Sequence, residues 1–314
     1  MSGTAAPMAG SGAMLDLGRR QDDLVLLTTP SMRARRSPLS IAGLWLWQTS
    51  LALLASLPAA ALARAAWRGD PEGDGPLWAP GAHALIDWLW HDWHGVRAVY
   101  GGAEVVLLVG AVVGLIPTTA LMIEMAYVKR GRASAGLVPS LAGGLRAWPS
   151  MLLLLFVSGL VQALMLGLGA GLAHLVERGA HGGMGEARAE QIEGVVLLVV
   201  VALVSAVGVA HDLGRAAIVR FDVRGLRAFG LGLRTLRRSP VALWWSWAWR
   251  AFAGVTLIVI GGVMASRLGG RGGLALLVLA LLHQAVVVSR VALRASWLAR
   301  ALRAVDGTLR RALP

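Results

Sequence analysis

Six long apolar runs, each set off by basic residues, give the chain its rhythm. They cover 41–63, 104–127, 150–175, 194–216, 243–265 and 273–293. A hydrocarbon core about 30 Å thick needs about 20 apolar residues in helical form, and each run reaches that length. The pattern predicts an all-α polytopic membrane protein with six transmembrane helices. Pro117 falls in the second run and Arg250 in the fifth. Neither ends its run, because a kinked span is tolerated in lipid where neighbours satisfy the freed carbonyl.

The polar positions between the runs set an orientation. Alternate segments carry 22 of the basic residues: the stretch before the first run, the second-to-third connection, Arg215 to Arg238, and Arg290 onward. The opposite loops carry seven, from Arg64 to Arg271. Basic residues stay on the cytoplasmic side, so both termini are expected there. Residues 1–13 are small, and no apolar core of signal-peptide length follows them. Arg19-Arg20 is followed by Gln21, Asp22 and Asp23, where a twin-arginine signal would turn apolar. The expected organisation is a flexible tail over 1–15 and one membrane domain over 16–314, in a bacterial inner (plasma) membrane.

A repeated phrase refines this. RRSPLSIAGLWLW runs from Arg35 to Trp47, and RRSPVALWWSWAW from Arg237 to Trp249. Aligned on the proline, Pro38, Pro149 and Pro240 each precede an odd-numbered run. Arg35, Arg146 and Arg237 stand three residues before them, and Trp45, Phe156 and Trp247 seven after. Proline suits a first helical turn, where its missing N–H would be unpaired anyway. Arginine beside it faces anionic headgroups, and the tryptophans suit an aromatic belt at headgroup level. Upstream, the stretch from Val223 to Arg234 puts apolar and basic residues on different faces, as a helix lying on the membrane surface does. The prediction is three helical hairpins, each preceded by a basic amphipathic elbow helix, with matching backbone paths at the three corners.

Composition supports the choice of solvent. The chain is 56% hydrophobic and 15% charged, where a soluble domain carries about 25% charged residues. A net charge of +13 would suit nucleic acid, but the basic residues are dispersed between apolar runs and form no single patch. They read as topology signals, and nucleic acid is excluded as a partner. The absence of cysteine removes disulfides, thiolate nucleophiles and cysteine metal sites.

The run Asp212-Leu-Gly-Arg215-Ala-Ala-Ile-Val219, followed by the basic elbow and Arg237-x-x-Pro240, resembles a widespread group of bacterial six-helix integral membrane proteins of unknown function. It is similar to the membrane domain fused to some bacterial glycerophosphodiester phosphodiesterases. The likeness covers most of the chain from about Leu15. The soluble phosphodiesterase domain has no room here, so its activity is not implied.

Ionisable groups inside a span are the default functional candidates. Arg250, Glu124, Asp212, Arg215 and Arg290 all fall in the cytoplasmic half of their runs. Asp212 and Arg215 are three apart and can pair on one face. Together the five predict an intramembrane polar cluster in which Arg250 pairs with Glu124 or Asp212. Such a cluster suits an anion, lipid-headgroup or proton site, or structural ion pairing with snorkelling to the interface.

Other patterns carry less chemistry. His83, Asp87, His91 and His94 fall on one face of an outer-loop helix. That spacing can hold zinc, but it reads equally as the wet stripe of an interfacial helix, and no metal is assigned. His174, His211 and His283 lie at different depths, which argues against haem. Gly110–Gly114 and Gly167–Gly171 predict close helix packing. No H-E-x-x-H, G-x-x-x-x-G-K-[ST] or G-x-S-x-G motif occurs, and no cofactor is expected. The reading is a non-enzymatic multi-pass protein whose basic face meets anionic lipid or a membrane or cytoplasmic protein partner. The alternatives are a permease subunit driven by a separate ATPase and an intramembrane enzyme acting on lipid.

Overall fold

A computed structural model describes Ala34 and residues 37–69, 83–127, 136–179, 185–268 and 273–310. The tail assignment over 1–15, Arg35 and the basic residues at 129, 130 and 132 lie outside the described residues. Among those described there are nine helices and no strand: α1 (Pro38–Ala66), α2 (His83–His91), α3 (Trp93–Val113), α4 (Leu115–Ala126), α5 (Leu137–Gly179), α6 (Glu186–Phe221), α7 (Gly225–Arg238), α8 (Pro240–Leu268) and α9 (Leu274–Arg310). Six stretches are helical, long and apolar enough to cross a membrane: α1, α3 with α4, α5, α6, α8 and α9.

The second stretch is broken at Gly114, where the sequence predicts one kinked helix. Pro117 is the third residue of α4, a position whose N–H has no acceptor within the helix, so the break costs that helix no hydrogen bond. The carbonyl of Val112 accepts a hydrogen bond from the Trp148 indole N–H at 3.0 Å instead. A neighbour thus satisfies a carbonyl of the broken turn, as lipid demands.

The three proline corners do not share one path. At Pro38 and Pro240 the preceding serine leaves helical geometry, with φ −122°, ψ 55° for Ser37 and φ −148°, ψ 62° for Ser239. Ser37 N–H bonds Ala34 O, and Ser239 N–H bonds Leu236 O. The serine carbonyls then accept from Ile41 and Leu243, both at 3.1 Å. The residue before a proline is pushed out of the α region, and both serines obey. At Pro149 the helix continues, and α5 runs 43 residues through it. Trp148 stays helical there, tied across to Val112. The serine geometry is therefore shared by the first and third corners and absent at the second, while Arg35 and Arg36 of the first corner lie outside the described residues.

Packing follows chain order. α1 lies on α3 and α4, α5 on α6, and α8 on α9. Additional contacts join α4 to α5, α6 to α7 and α9, and α9 to α1. The buried core sits at the arginine-rich end of these helices. It is built from Leu121 and Met122, Met151 and Leu154, Leu213 and Ala217, and Trp297, Leu298 and Leu302. Amphipathic α7 closes that end. Its Gly225, Ala228, Gly232 and Leu236 are buried, and Arg224, just before it, and Arg227, Arg234 and Arg237 face outward. Gly232 permits this, because a Cβ there would stand 2.3 Å from the Ala210 carbonyl oxygen.

The predicted glycine pairs divide. A Cβ at Gly110 would stand 2.6 Å from Leu51, and one at Gly114 2.9 Å from the Trp47 indole nitrogen, so this pair lets α1 approach. Gly167 and Gly171 have open space beside them. Gly169 takes the role, with Val200 2.5 Å from where its Cβ would lie.

Candidate functional site

Asp212 organises the polar side chains of the arginine-rich end. It is 2% exposed on α6, near the end of the fourth apolar run. A lone carboxylate there would be costly, and it survives by being fully bonded. Arg294 of α9 donates from Nη1 and Nη2 to its two oxygens, both at 2.6 Å. The Trp297 indole N–H adds a third bond at 2.8 Å. Arg215, one turn along α6, stands 3.7 Å away and is itself buried. The bidentate fork fixes the rotation of α9 against α6.

A second buried ion pair lies beyond it. Arg220 Nε donates to Asp306 at 2.9 Å, joining the ends of α6 and α9. Glu124 of α4 accepts a hydrogen bond from the Ser40 hydroxyl of α1. At the end of α7, Arg238 donates to the Thr308 carbonyl at 2.7 Å. Each of the three ties a helix to one distant in sequence.

Arg250 departs from expectation. Neither Glu124 nor Asp212 receives it. Its Nη1 donates to the Ser246 hydroxyl at 2.7 Å and to the Ser246 carbonyl, and its Nε donates to the Ser296 hydroxyl at 3.2 Å. The guanidinium also lies over the Trp249 ring, 4.5 Å from its centroid. The reason is rotational. α8 touches mainly α9, so the side of α8 bearing Arg250 looks at Ser296 and not at α4 or at Asp212 on α6.

The five predicted cluster residues are thus split. Asp212 and Arg215 meet as predicted from their spacing. Glu124 belongs to the α1–α4 contact. Arg250 and Arg290 line a cavity of about 380 Å³ between α8 and α9, together with Arg294, Gln48 and Trp297. Arg294, Trp297, Arg220 and Asp306 were not singled out by the sequence. One signal was present: Asp306 is the single acid among six basic residues from Arg290 onward. Of the elbow residues, Pro38 and Pro240 begin helices, Pro149 lies inside one, and Arg146 and Arg237 face outward.

The histidine stripe is interrupted. α2 ends at His91 and α3 begins at Trp93, so His94 stands on a different helix from His83 and Asp87. His91 Nδ1 is 2.8 Å from the Asp87 carbonyl oxygen. His211 Nδ1 meets the Ser158 hydroxyl at 2.8 Å, His283 its own helix at Leu279, and His174 the exposed Glu177. Among the described residues, no three acids, histidines or cysteines gather where a metal ion would fit. The tryptophans expected as a belt also divide. Trp45 donates inward to Gln284 at 3.0 Å and Trp244 to Ser205 at 2.8 Å, while Trp245 and Trp249 face outward.

These features define an all-helical protein with six helices of membrane-crossing length and composition, consistent with a multi-pass transmembrane protein. No protein-family model, no curated protein and no solved structure matches the chain.

Proposed function

We propose that the protein is a non-enzymatic multi-pass protein of a bacterial inner membrane, with three helical hairpins, both termini in the cytoplasm, and a basic cytoplasmic face that binds anionic lipid or a protein partner. The observation that carries this is the two-sidedness of α7. Its small residues seat against the bundle, and Arg227, Arg234 and Arg237 point away beside Leu226, which is 63% exposed. A helix with basic and apolar residues outward suits the boundary between headgroups and acyl chains. Each arginine near an anionic leaflet contributes about 1 kcal/mol of attraction. The pairwise packing of consecutive spans and the separate helix before Pro240 support the hairpin-and-elbow plan.

Two measurements test this. Reporter fusions after Pro149, Pro240 and Pro314 are expected to report cytoplasm, and fusions at Gly75 and Gly183 the outside. A cytoplasmic signal at Gly75 overturns the topology. In mild detergent the protein is expected to retain anionic over zwitterionic lipid, and the combined variant R227Q, R234Q and R237Q to lose that preference. Wild-type protein retaining neither anionic lipid nor a protein partner overturns the binding role.

A further inference from the structure

The cavity between α8 and α9 collects more positive charge than its one neighbouring acid neutralises. Arg250, Arg290 and Arg294 line it. Arg294 is committed to Asp212 through both terminal nitrogens. That carboxylate also takes the Trp297 bond and faces Arg215, so it has nothing left for the other two. The remaining buried acids of the packed end are engaged elsewhere, Glu124 with Ser40 and Asp306 with Arg220. Arg250 bonds serine oxygens through Nη1 and Nε, and its Nη2 makes no hydrogen bond among the described residues. Arg290 is exposed and has no hydrogen-bond or ion-pair partner among them. Two guanidinium forks with donors to spare, beside a third already anchored, suit a bidentate oxyanion such as phosphate.

Depth argues for the source of that phosphate. From Arg250 outward, the charge-free stretch of α8 is Ala251–Ser266, and that of α9 is Leu274–Ser289. Sixteen residues of helix span about 24 Å, short of a hydrocarbon core of about 30 Å. Arg250 and Arg290 therefore stand just inside the edge of the apolar band, from where their side chains can reach up to a lipid phosphate. α9 continues another 20 residues to Arg310, beyond that edge.

The cavity's shape fits an amphiphile. Away from the arginines its wall becomes Gly254, Val255 and Ile258. Val255 and Ile258 are 57% and 46% exposed, and no other helix comes within 4 Å of where a Gly254 Cβ would stand. The polar mouth thus opens into an apolar slot along α8. A volume of about 380 Å³ is within the range of pockets that hold small ligands.

We infer that the cleft between α8 and α9 is a specific site for the phosphate of one anionic phospholipid of the cytoplasmic leaflet, held by Arg250 and Arg290, with its acyl chain against Val255 and Ile258. This rests on the membrane topology proposed above but not on the lipid preference of α7. The full chain in mild detergent would be titrated with short-chain phosphatidylglycerol. Tryptophan fluorescence reports on the site, since Trp247 and Trp297 line it, and native mass spectrometry counts bound lipid. The expected result is one tightly bound lipid per chain, weakened about tenfold by R290Q, the loss expected for one charge-assisted hydrogen bond, and abolished by R250Q with R290Q. R267Q, at the far end, is expected to bind as wild type.

Arg290 is exposed and unpartnered, so R290Q keeps the test sharp if R250Q fails to fold. Unchanged one-to-one binding in R290Q overturns the site. If the α7 variant meanwhile loses bulk anionic lipid, the broader reading stands without it. Inorganic phosphate or glycerol phosphate binding as tightly as the lipid overturns the amphiphile. Phosphatidylcholine binding as tightly as phosphatidylglycerol overturns an anion-selective site.

Discussion

The two ends of the helical bundle are held by different forces. At the arginine-rich end, α4, α6, α7, α9 and the start of α5 enclose side chains with almost no exposure, such as Leu121, Met151, Leu213 and Leu302. Buried charges there are paired, Asp212 with Arg294 and Asp306 with Arg220. At the far end α1, α3, α5 and α6 turn large apolar residues outward, including Leu57, Leu108, Leu168 and Leu198. They meet at small contacts, such as Gly110 beside Leu51, Gly169 beside Val200, and Gln162 donating to the Val204 carbonyl at 3.1 Å. Lipid tails are as apolar as leucine, so burying leucine between spans gains little in a bilayer. Toward the arginine-rich end, where chain such as the end of α9 projects past the apolar band, water restores the hydrophobic drive and the core closes. α5, α6 and α9 have 43, 36 and 37 residues, or lengths of about 54–65 Å. A bilayer with its headgroups is about 40–45 Å thick, so these helices have length left to build that core.

The sharpest way to break this comparison is Asp212→Ala. It strands Arg294 and Arg215 around an empty site, and removing one partner of a buried ion pair costs about 3–5 kcal/mol. Detergent unfolding should show the loss, and a change below about 1 kcal/mol would mean the carboxylate does not hold α9 to α6. The next test sets leucine against leucine. Leu302→Ala, in the packed end, is expected to cost about 2–5 kcal/mol. Leu166→Ala, 52% exposed at the far end, should stay within about 0.5 kcal/mol. Equal losses would erase the distinction between the ends. Arg250→Ala should fall between the two leucine variants, at about 1 kcal/mol, because it gives up partly exposed hydrogen bonds to serine and no ion pair. A loss as large as that of Asp212→Ala would point to an acid partner after all.

Much of the plan was written in the sequence. Apolar run length located all six long helices, because a helix satisfies its own backbone and needs only enough apolar residues to cross lipid. The Ser-Pro corners at Ser37 and Ser239 were equally legible, since the steric effect of proline on its predecessor is local. The third corner was not: whether Trp148 stays helical depends on a carbonyl 36 residues away. The site divides along the same line. Asp212 and Arg215 could be paired by counting along one helix. The stronger partner, Arg294, is 82 residues distant and is reached only once α9 is rotated against α6. Arg250 stood out as a charge in an apolar run, but its partner was set by α8 facing α9. Spacing along a chain determines helices, corners and neighbours on one face. The rotation of each helix about its axis decides which charges meet, and that rotation is fixed by packing around residues such as Gly232 and Trp297, whose close contacts exist only in the folded bundle.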